Sequence, residues 1–339
     1  MGPLYALILA GGASSRFWPL SGDAHPKYLL RPDGKRTLLQ MAFERASACA
    51  GPENVLVVTA GAQADGVRKA LPALHIENLC IEPSRRDTAA AISLGCKVVA
   101  GRNSGADVLV LPADTLLEPG DALARAVDAA RGQADFESAI HVFGVRPSHA
   151  EGAYGYIERG EPAGGGIFGV KSFVEKPGDA ARALIARGFL WNVGCFLFRL
   201  DTFDRELAAH LPTHSNRLRP ANPGAVTPED YEGLQSISID YGLIEKARNL
   251  RVCVVEATFD DIGTWDALLR SGSGGNQGAL VTVAGRGNSV IAPGRAVAVV
   301  GESDLLIVAD GERILVMKKG MGQQVKQAAQ NAPEPKPDA

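Results

Sequence analysis

A short apolar run that ends in two glycines constrains the fold of this chain more than any other feature. Leu4 to Ala10 is too short and too uniformly hydrophobic for an amphipathic surface helix, so it predicts a strand buried on both faces of a parallel sheet. Gly11 and Gly12 lack a Cβ, so the backbone can turn sharply there and bring its N–H groups close to a bulky anion. Open α/β sheets bind ligands at this end of their strands, which places a predicted site in the first loop.

The same loop carries two cations, Arg16 and Lys27, and its prolines stiffen the path between them. This pattern predicts a polyphosphate ligand. The loop does not match the P-loop, because no lysine follows the glycines at the required spacing. It does not match the dinucleotide fingerprint GxGxxG either, because Ala13 and Ser14 stand where further glycines are needed.

Composition limits the classes of function. The chain has 339 residues, 46% of them hydrophobic and 22% charged, as in a globular protein with one large and one smaller domain. A formal net charge of −3 argues against a nucleic-acid partner. No stretch reaches the ~18 apolar residues of a membrane span, so we expect no membrane partner. An odd number of scattered cysteines indicates a reducing cytoplasm: Cys49, Cys80, Cys96, Cys195 and Cys253.

Two aspartates follow apolar runs and are candidates for a metal site. The run from residue 107 to 112 ends in Pro-Ala-Asp, which puts Asp114 at the end of a strand where sheet ligands bind. Asp261 is a second acidic point after the strand predicted at residues 252–256. A lone aspartate in such a place is more often a turn or cap residue, but a nucleotide site needs carboxylate to hold Mg²⁺.

Several ordered motifs resemble the signatures of the sugar-1-phosphate nucleotidyltransferases. The first loop is similar to GGxGxR, WPLS and PK, with Ser14 in place of the third glycine, and its Trp-Pro-Leu-Ser variant resembles the mannose-1-phosphate guanylyltransferase branch. Further resemblances lie in Glu82–Ile92 (EPxxR[ND]TAxAI), Gly152–Ile157 (TGYGYI), Glu175–Pro177 (EKP), Trp191–Phe198 (WNxGxFxF), Ser238–Ala247 (SIDYxxxEKA) and Asp261–Trp265 (DVGSW).

The resemblance implies a Rossmann-like α/β nucleotidyltransferase domain with a mixed, mostly parallel sheet, at residues 1–270. The Gly/Ser-rich stretch 271–278 reads as a linker. Beyond it, short β-branched runs between glycine turns predict a small all-β, β-helix-like domain at 279–329, expected to serve assembly of a homodimer, and a disordered tail at 330–339. The proline-containing stretch 210–228 is predicted to be an extended loop.

The implied reaction joins GTP and mannose 1-phosphate to give GDP-mannose and pyrophosphate, with Mg²⁺. The implied catalytic residues are Arg16, Lys27 and Lys176, and the implied metal ligands are Asp114 and Asp261. The implied nucleotide-binding residues are Leu9, Ala10, Gly11, Gly12, Ser14, Arg86, Asp87, Thr88, Pro112 and Asp114. The implied sugar-binding residues are Tyr154, Gly155, Glu175, Lys176 and Asn192.

Local alternatives stay open for these motifs. Asp87 or Thr88 could simply cap a helix, Glu175 and Lys176 could form a surface ion pair worth under ~1 kcal/mol, and Asn192 could be a turn residue. Asp240 reads as a helix N-cap.

Two other functions compete with the main one. The chain could serve another sugar 1-phosphate, such as a heptose phosphate, or another base. It could also be a catalytically silent subunit that binds nucleotide-sugar, against which the retention of Arg16, Lys27, Asp114, Lys176 and Asp261 argues.

Overall fold

The computed structural model describes residues 1–12, 15–22, 26–218, 226–272 and 277–332, so Ser14 lies outside the described residues. Within these ranges nine strands form one sheet: β1 (Leu4–Ala10), β2 (Val55–Ala60), β3 (Leu79–Glu82), β4 (Asp107–Pro112), β6 (Ile140–Val145), β7 (Gly155–Gly164), β8 (Ile167–Glu175), β9 (Leu190–Arg199) and β10 (Leu250–Val254). Their order across the sheet is β3-β2-β1-β4-β9-β6-β10-β8-β7.

Strand β1 lies near the centre of one half of this sheet, as predicted. It pairs in parallel with β2 and β4, so both of its edges are covered. Ala6 and Ile8 face one core cluster and Leu7 faces the other, and all three are fully buried. Burial on both faces explains why this strand is continuously apolar rather than alternating.

The sheet is mixed, which confirms the predicted fold class. Strands β3, β2, β1 and β4 are parallel, whereas β9 is antiparallel to both of its neighbours β4 and β6, and β8 is antiparallel to β10 and β7. Only β8 and β9 of this sheet therefore run against the others. The carboxyl ends of β1, β2, β3 and β4 lie along one edge, where ligands of open α/β sheets bind.

Helices cover both faces of the sheet and connect the strands. The first begins at a capping box, in which the Thr37 side chain accepts from the backbone N–H of Gln40 while the Gln40 side chain accepts from that of Thr37. The helices are α1 (Leu38–Ala50), α2 (Ala64–Ala70), α3 (Asp87–Arg102), α4 (Ala122–Arg131), α5 (Ala181–Ala186), α6 (Leu200–His210), α7 (Pro212–Leu218), α8 (Pro228–Tyr231), α9 (Trp265–Arg270) and α10 (Val325–Asn331).

The expectation of an extended loop at 210–228 was wrong where the chain is described. Helix α7 occupies Pro212–Leu218. Its proline is at the first helical position, where the missing N–H costs no hydrogen bond, so this proline starts a helix instead of breaking one. Residues 219–225 lie outside the described residues.

The C-terminal strands form a separate sheet of four members: β12 (Gln277–Val283), β13 (Ser289–Val300), β14 (Leu305–Asp310) and β15 (Arg313–Lys318). They are arranged in the order β12-β13-β14-β15. The pairs β12–β13 and β13–β14 are parallel and β14–β15 is antiparallel.

The end of the chain differs from the predicted all-β domain and disordered tail. Helix α10 follows the sheet, and residues 330 and 331, assigned to the tail, are still helical. The helix forms because Val325 is buried in one apolar cluster with Phe17 and Trp265 of the first domain and Met317 of β15. Residues 333–339 lie outside the described residues. No helix in the described ranges is both long and apolar enough to cross a membrane.

Candidate active site

A cavity of about 560 Å³ opens at the carboxyl ends of β1, β3 and β4. This is the edge of the sheet where the sequence predicts a ligand. Its walls are formed by Leu9, Gly11, Gly12, Ala60, Glu82, Arg85, Asp87, Thr88, Pro112, Asp114, Gly194, Phe196, Ser236, Ile239 and Asp240.

The glycine pair forms an open floor of this cavity. Gly12 has a φ of +97°, a conformation that L side chains rarely adopt. A Cβ built on either glycine would meet no protein atom within 4 Å. Protein packing therefore does not explain the pair, and the open space beside the backbone is free for a ligand to approach.

Lys27 lies between the two candidate metal ligands. Its Nζ is 2.8 Å from an oxygen of Asp114 and 3.2 Å from an oxygen of Asp261, and it also donates to the backbone carbonyl of Asp261. Burial opposes the charge of Lys27, but the two carboxylates together outweigh it and raise the pKa of the ammonium group above its ordinary value. Lys27 is 6% exposed, so this charge is held in place rather than solvated.

A short two-stranded ribbon brings these two aspartates together. Asp114 precedes β5 (Leu116–Glu118), and Asp261 directly follows β11 (Thr258–Asp260). The two strands are antiparallel, with Asp260 opposite Leu116. We expected both aspartates to follow strands of the main sheet, but Asp261 reaches the site through this ribbon.

Arg16 stands on the other side of Asp261. It belongs to the 3₁₀ turn Ser15–Phe17 and is exposed, whereas Phe17 beside it is fully buried. A Cβ built on Gly263 would lie 3.9 Å from both the Arg16 Nη1 and the Asp261 Oδ2. Both charged groups therefore border Gly263. The structure thus brings Arg16, Lys27, Asp114 and Asp261 to one place.

The predicted sugar-binding residues form a second group. Lys176 pairs with Glu175, with 2.8 Å between Nζ and Oε1, and the Asn192 amide donates to the carboxylate of Asp240 at 3.3 Å. A Cβ on Gly155 would lie 2.6 Å from Glu175 Oε2 and 3.2 Å from the Cβ of Asn192, so a larger residue there would displace the Glu175 carboxylate. Lys176 has a φ of +49°, a backbone conformation that is strained for a lysine.

Tyr154 connects this group to the aspartate pair. Its hydroxyl accepts a 3.0 Å hydrogen bond from the backbone N–H of Asp261 and lies 3.5 Å from the Asp260 carboxylate. The ring packs edge-on against Trp191 and Phe259. Burial raises the pKa of the hydroxyl, which therefore stays protonated. Here Tyr154 supports the turn that carries Asp261.

Asp240 is a site residue that sequence reasoning missed, because we took it for a helix cap. It begins a single π-helical turn at Asp240–Ile244 and lines the cavity beside Asn192. Such turns are rare and frequent at functional sites. Burial raises the pKa of its carboxyl to about 7, Glu175 adds to this, and Lys176 opposes it. In the sequence, Asp240 lies next to Tyr241 in the motif Ser238–Ala247, and this position was the feature that could have indicated a site residue.

We expect the free energy of unfolding to depend on Asp240 between pH 4 and 7. The folded protein keeps the proton in this window while the unfolded chain has lost it, so stability falls as the pH rises to about 7 and then levels off. Asp240→Asn should reduce this fall by about 4 kcal/mol in urea titrations. Exposed Glu256→Gln is the control, because Glu256 pairs with Arg146. Burial also raises the pKa of Glu82 to about 7, so part of the pH dependence of stability should remain in Asp240→Asn. An unchanged slope in Asp240→Asn contradicts the prediction.

Some predicted nucleotide-binding residues lie elsewhere. Arg86 does not line the cavity, and its Nε donates to the backbone carbonyl of Tyr231, whereas Arg85 is in the wall. The side chain of Ala10 is buried in a core cluster. Asp87 and Thr88 do line the cavity, although the Thr88 hydroxyl also accepts from the backbone N–H of Ile239.

The aspartate pair has the donor set that Mg²⁺ prefers. Within the described ranges, no group of three or more His, Cys, Asp or Glu side chains is placed to hold a metal ion. Mg²⁺ commonly takes one or two protein carboxylates and completes its octahedron with waters and phosphate oxygens. Asp114 and Asp261 therefore fit an ion that is held jointly by protein and phosphate.

Fold and site together define a class of enzyme. Parallel strand ends with a glycine turn, one buried and one exposed cation and a carboxylate pair are arranged to bind and transfer a phosphate-bearing group. Residues 5–274 match the family described as nucleotidyl transferase, and the chain belongs to this family.

Two named relatives within this family match most of the chain. One is mannose-1-phosphate guanylyltransferase 2 of Escherichia coli O157:H7, 32% identical over 352 residues that span 96% of this chain and 72% of the relative. The other is mannose-1-phosphate guanylyltransferase RfbM of Salmonella typhimurium, 32% identical over 94% of this chain and 70% of the relative.

A solved structure matches nearly the whole chain. It is named a mannose-1-phosphate geranyltransferase from Thermus thermophilus, has 34% sequence identity and a TM-score of 0.86, and the match covers 97% of this chain and 98% of that one. A UDP-glucose pyrophosphorylase structure at 18% identity and a TM-score of 0.53 shares the fold. The first match covers 97% of this chain and therefore extends over the C-terminal sheet.

Proposed function

We propose that the protein transfers GMP from GTP to mannose 1-phosphate and releases GDP-mannose and pyrophosphate. One observation carries the proposal of nucleotidyl transfer: Lys27 is held between Asp114 and Asp261, and Asp114 lines the cavity that the glycine pair borders. The names of the relatives, at 32% identity over most of the chain, support guanine and mannose as the particular substrates.

The reaction needs positioning and charge stabilisation rather than a nucleophilic side chain. An oxygen of the sugar phosphate attacks the α-phosphorus of the nucleotide in line and forms a new P–O bond. The bond from the α-phosphorus to the bridging oxygen breaks, and its electron pair leaves with pyrophosphate. Bound groups must therefore keep two anions close together and stabilise negative charge on the leaving group.

The cations of the chain can divide this work. Arg16 and Lys27 are placed near the aspartate pair to stabilise the charge on the leaving pyrophosphate. Lys176 lies in the second group, beside Glu175 and Asp240, and would orient the phosphate of the sugar. Asn192 and Glu175 have the acceptor oxygens that sugar hydroxyls need.

Asp114 and Asp261 would hold Mg²⁺. When bound, the ion neutralises charge on the phosphate oxygens of the nucleotide. Tyr154 keeps the Asp261 backbone in place through its hydroxyl, so the carboxylate is oriented before the substrate arrives.

A pyrophosphate-release assay across a panel of sugar 1-phosphates and nucleoside triphosphates tests the proposal. We expect the highest kcat/KM with GTP and mannose 1-phosphate in the presence of Mg²⁺. A higher value with a heptose phosphate or with another base would replace the proposed substrates. Tight binding of nucleotide-sugar without pyrophosphate release from any pair would indicate the silent subunit.

Lys176→Ala should raise the KM for the sugar phosphate at least tenfold and leave the KM for GTP nearly unchanged. The reason is that Lys176 belongs to the group around Glu175 and Asp240, away from Arg16 and Lys27. Steady-state kinetics with each substrate varied gives both constants. Lys171→Ala is a matched control in β8, the strand just before Lys176, because Lys171 is exposed and pairs with Glu158. Equal damage to both constants would refute this role for Lys176.

We propose that the enzyme works in the cytoplasm as a homodimer. Its cysteines are all free in the structure, which suits a reducing compartment. Val281, Val283 and Val300 are apolar side chains exposed on the C-terminal sheet and offer a surface for self-association. Sedimentation equilibrium of the full chain measures the oligomeric state, and a monomer at micromolar concentration would contradict the dimer.

A further inference from the structure

Helix α1 contains a buried cation that the proposed mechanism does not use. Arg45 is only 7% exposed, and within the described ranges it forms no ion pair with a carboxylate. Burial lowers the pKa of its guanidinium group, although Glu118 and Glu44 oppose this from beyond ion-pair distance, and the group keeps its proton at neutral pH. A buried charge is costly unless polar groups compensate it, so the contacts of Arg45 need an explanation.

The hydrogen bond of Arg45 goes to the backbone beside a candidate metal ligand. Its Nη2 donates to the carbonyl of Thr115 at 3.0 Å, and Thr115 directly follows Asp114. Thr115 is buried, whereas the side chain of Asp114 is 32% exposed and lines the cavity. The guanidinium therefore holds the backbone on the protein side, while the carboxylate of the preceding residue faces the cavity.

We propose that Arg45 is a positioning residue that fixes the place of Asp114 relative to Asp261 through the Thr115 carbonyl. The inference rests on the proposed function, because it concerns how the two carboxylates are held for Mg²⁺. It assigns a role to a residue outside every motif that the sequence analysis connected with the site.

The β5–β11 ribbon explains why the Thr115 backbone affects both aspartates. Thr115 lies between Asp114 and strand β5, and β5 pairs with β11, which Asp261 directly follows. A shift of the Thr115 backbone would therefore change the separation of the two carboxylates. On the β11 side, the hydroxyl of Tyr154 accepts from the backbone N–H of Asp261. Arg45 is the corresponding support on the β5 side.

Helix α1 can act as a rigid support because apolar packing joins it to β5. Met41 of α1 and Leu116 of β5 belong to one buried cluster, and Ala42 of α1 and Leu117 of β5 belong to another. The hydrogen bond from Arg45 is buried as well, so it is electrostatically stronger than it would be in water.

Lys27 contacts the same region but holds a different group. Its Nζ lies 2.8 Å from the Asp114 carboxylate and 3.2 Å from that of Asp261, so it interacts with the carboxylates wherever the backbone places them. Arg45 instead holds the backbone. Loss of Arg45 should therefore misplace the carboxylates and keep their charge, which predicts a weakened metal site.

The test measures binding and turnover in the wild-type protein and in Arg45→Met, Arg45→Gln and Arg45→Lys. Isothermal titration calorimetry uses α,β-methylene GTP, whose α–β bridge cannot be cleaved, once with Mg²⁺ and once with EDTA. We expect Arg45→Met and Arg45→Gln to bind the Mg²⁺ complex about tenfold more weakly and the metal-free analogue as the wild type does. Their kcat should fall about 10–100-fold, while the KM for the sugar phosphate stays nearly unchanged.

Arg45→Lys should recover most of both losses. It keeps the charge, and its ammonium ends one bond short of the position of Nη2, whereas the glutamine amide ends two bonds short. Lys97→Met is the matched control, because Lys97 is another buried cation, 8% exposed, in α3. It lies about 15 Å along this helix from Asp87, which lines the cavity, so binding and kcat should stay at the wild-type values.

A double variant shows whether Arg45 acts through Asp114. Asp114→Asn removes the carboxylate that Arg45 positions, so adding Arg45→Met should lower kcat by no more than about threefold further. A structural role elsewhere in the protein would instead multiply the two defects.

The outcomes separate this inference from the proposed function. Wild-type Mg²⁺-complex affinity and kcat in folded Arg45→Met, equal losses for the metal-free and the Mg²⁺-bound analogue, or multiplying defects in the double variant would each overturn it. Should Arg45→Met not fold, wild-type values in Arg45→Gln would refute the role of the hydrogen bond. If the wild type binds the analogue but no substrate pair releases pyrophosphate, the proposed function fails, while the binding comparison still decides on Arg45.

Discussion

Replacing either Asp114 or Asp261 by asparagine is expected to lower kcat about 100-fold, and replacing both should be hardly worse than replacing one. The structure supplies the physical reason, because both carboxylates approach the Nζ of Lys27 at one point. Asparagine keeps the shape and removes the charge, and loss of preorganised charge stabilisation costs on the order of 3 kcal/mol. Two ligands of one ion act as a unit, so their effects do not multiply.

The measurement is the steady-state turnover of the two single variants and the double variant, each over a range of Mg²⁺ concentrations. Asp121→Asn is the control, because Asp121 is an exposed aspartate that pairs with Arg125. Each variant needs its Tm as well, since the double variant leaves the buried ammonium of Lys27 without a carboxylate partner. Defects that multiply in the folded double variant would mean that the two aspartates act independently.

Placing a charge in the contact between helix α10 and the first loop is expected to reduce both stability and catalysis. Val325 shares an apolar cluster with Phe17 and Trp265, and Phe17 is next to Arg16 in the chain. Asp266 strengthens the contact, because its carboxylate accepts from the backbone N–H groups of Gly320 and Gly322 at 2.6 and 2.7 Å. The C-terminal segment therefore supports the loop that carries a catalytic cation.

We expect Val325→Asp to lower the free energy of unfolding by about 3 kcal/mol, the usual cost of burying an unpaired charge. A displaced loop should also lower kcat/KM for GTP by about 10–100-fold at temperatures well below the Tm, because small misplacements of binding groups are costly. Val316→Asp puts the same charge on an exposed position of strand β15 in the C-terminal sheet and is the control. Full activity in folded Val325→Asp would restrict the C-terminal segment to the role in assembly that the sequence suggested.

Features encoded in contiguous residues could be predicted from the sequence. The apolar run of β1, the turn at Gly11 and Gly12 and the cations Arg16 and Lys27 lie within one short stretch. Their chemistry follows from residue type and order alone, since a buried strand must be apolar and a phosphate loop needs small residues and positive charge. The family resemblance rests on such stretches and led to the correct fold class.

Contacts between distant segments could not be predicted in this way. Asp240 and Glu82 looked like ordinary cap and motif residues, and the structure places them in the walls of one cavity. The motif led us to place Arg86 in the site, but the backbone directs Arg85 to the cavity and Arg86 to the carbonyl of Tyr231. These outcomes depend on side-chain direction, which the local pattern does not specify.

The sequence by itself determined the α/β fold, the phosphate loop and the two acidic points that we expected to converge. Only the tertiary structure decided that the β5–β11 ribbon brings Asp261 to Asp114, that Tyr154 holds the Asp261 backbone, and that helix α10 packs against the turn beside Arg16. The physical reason is the range of the interactions. Strand burial and turn geometry act between neighbours in the chain, whereas these three contacts join residues from distant parts of the sequence and form only when the sheets and helices have packed.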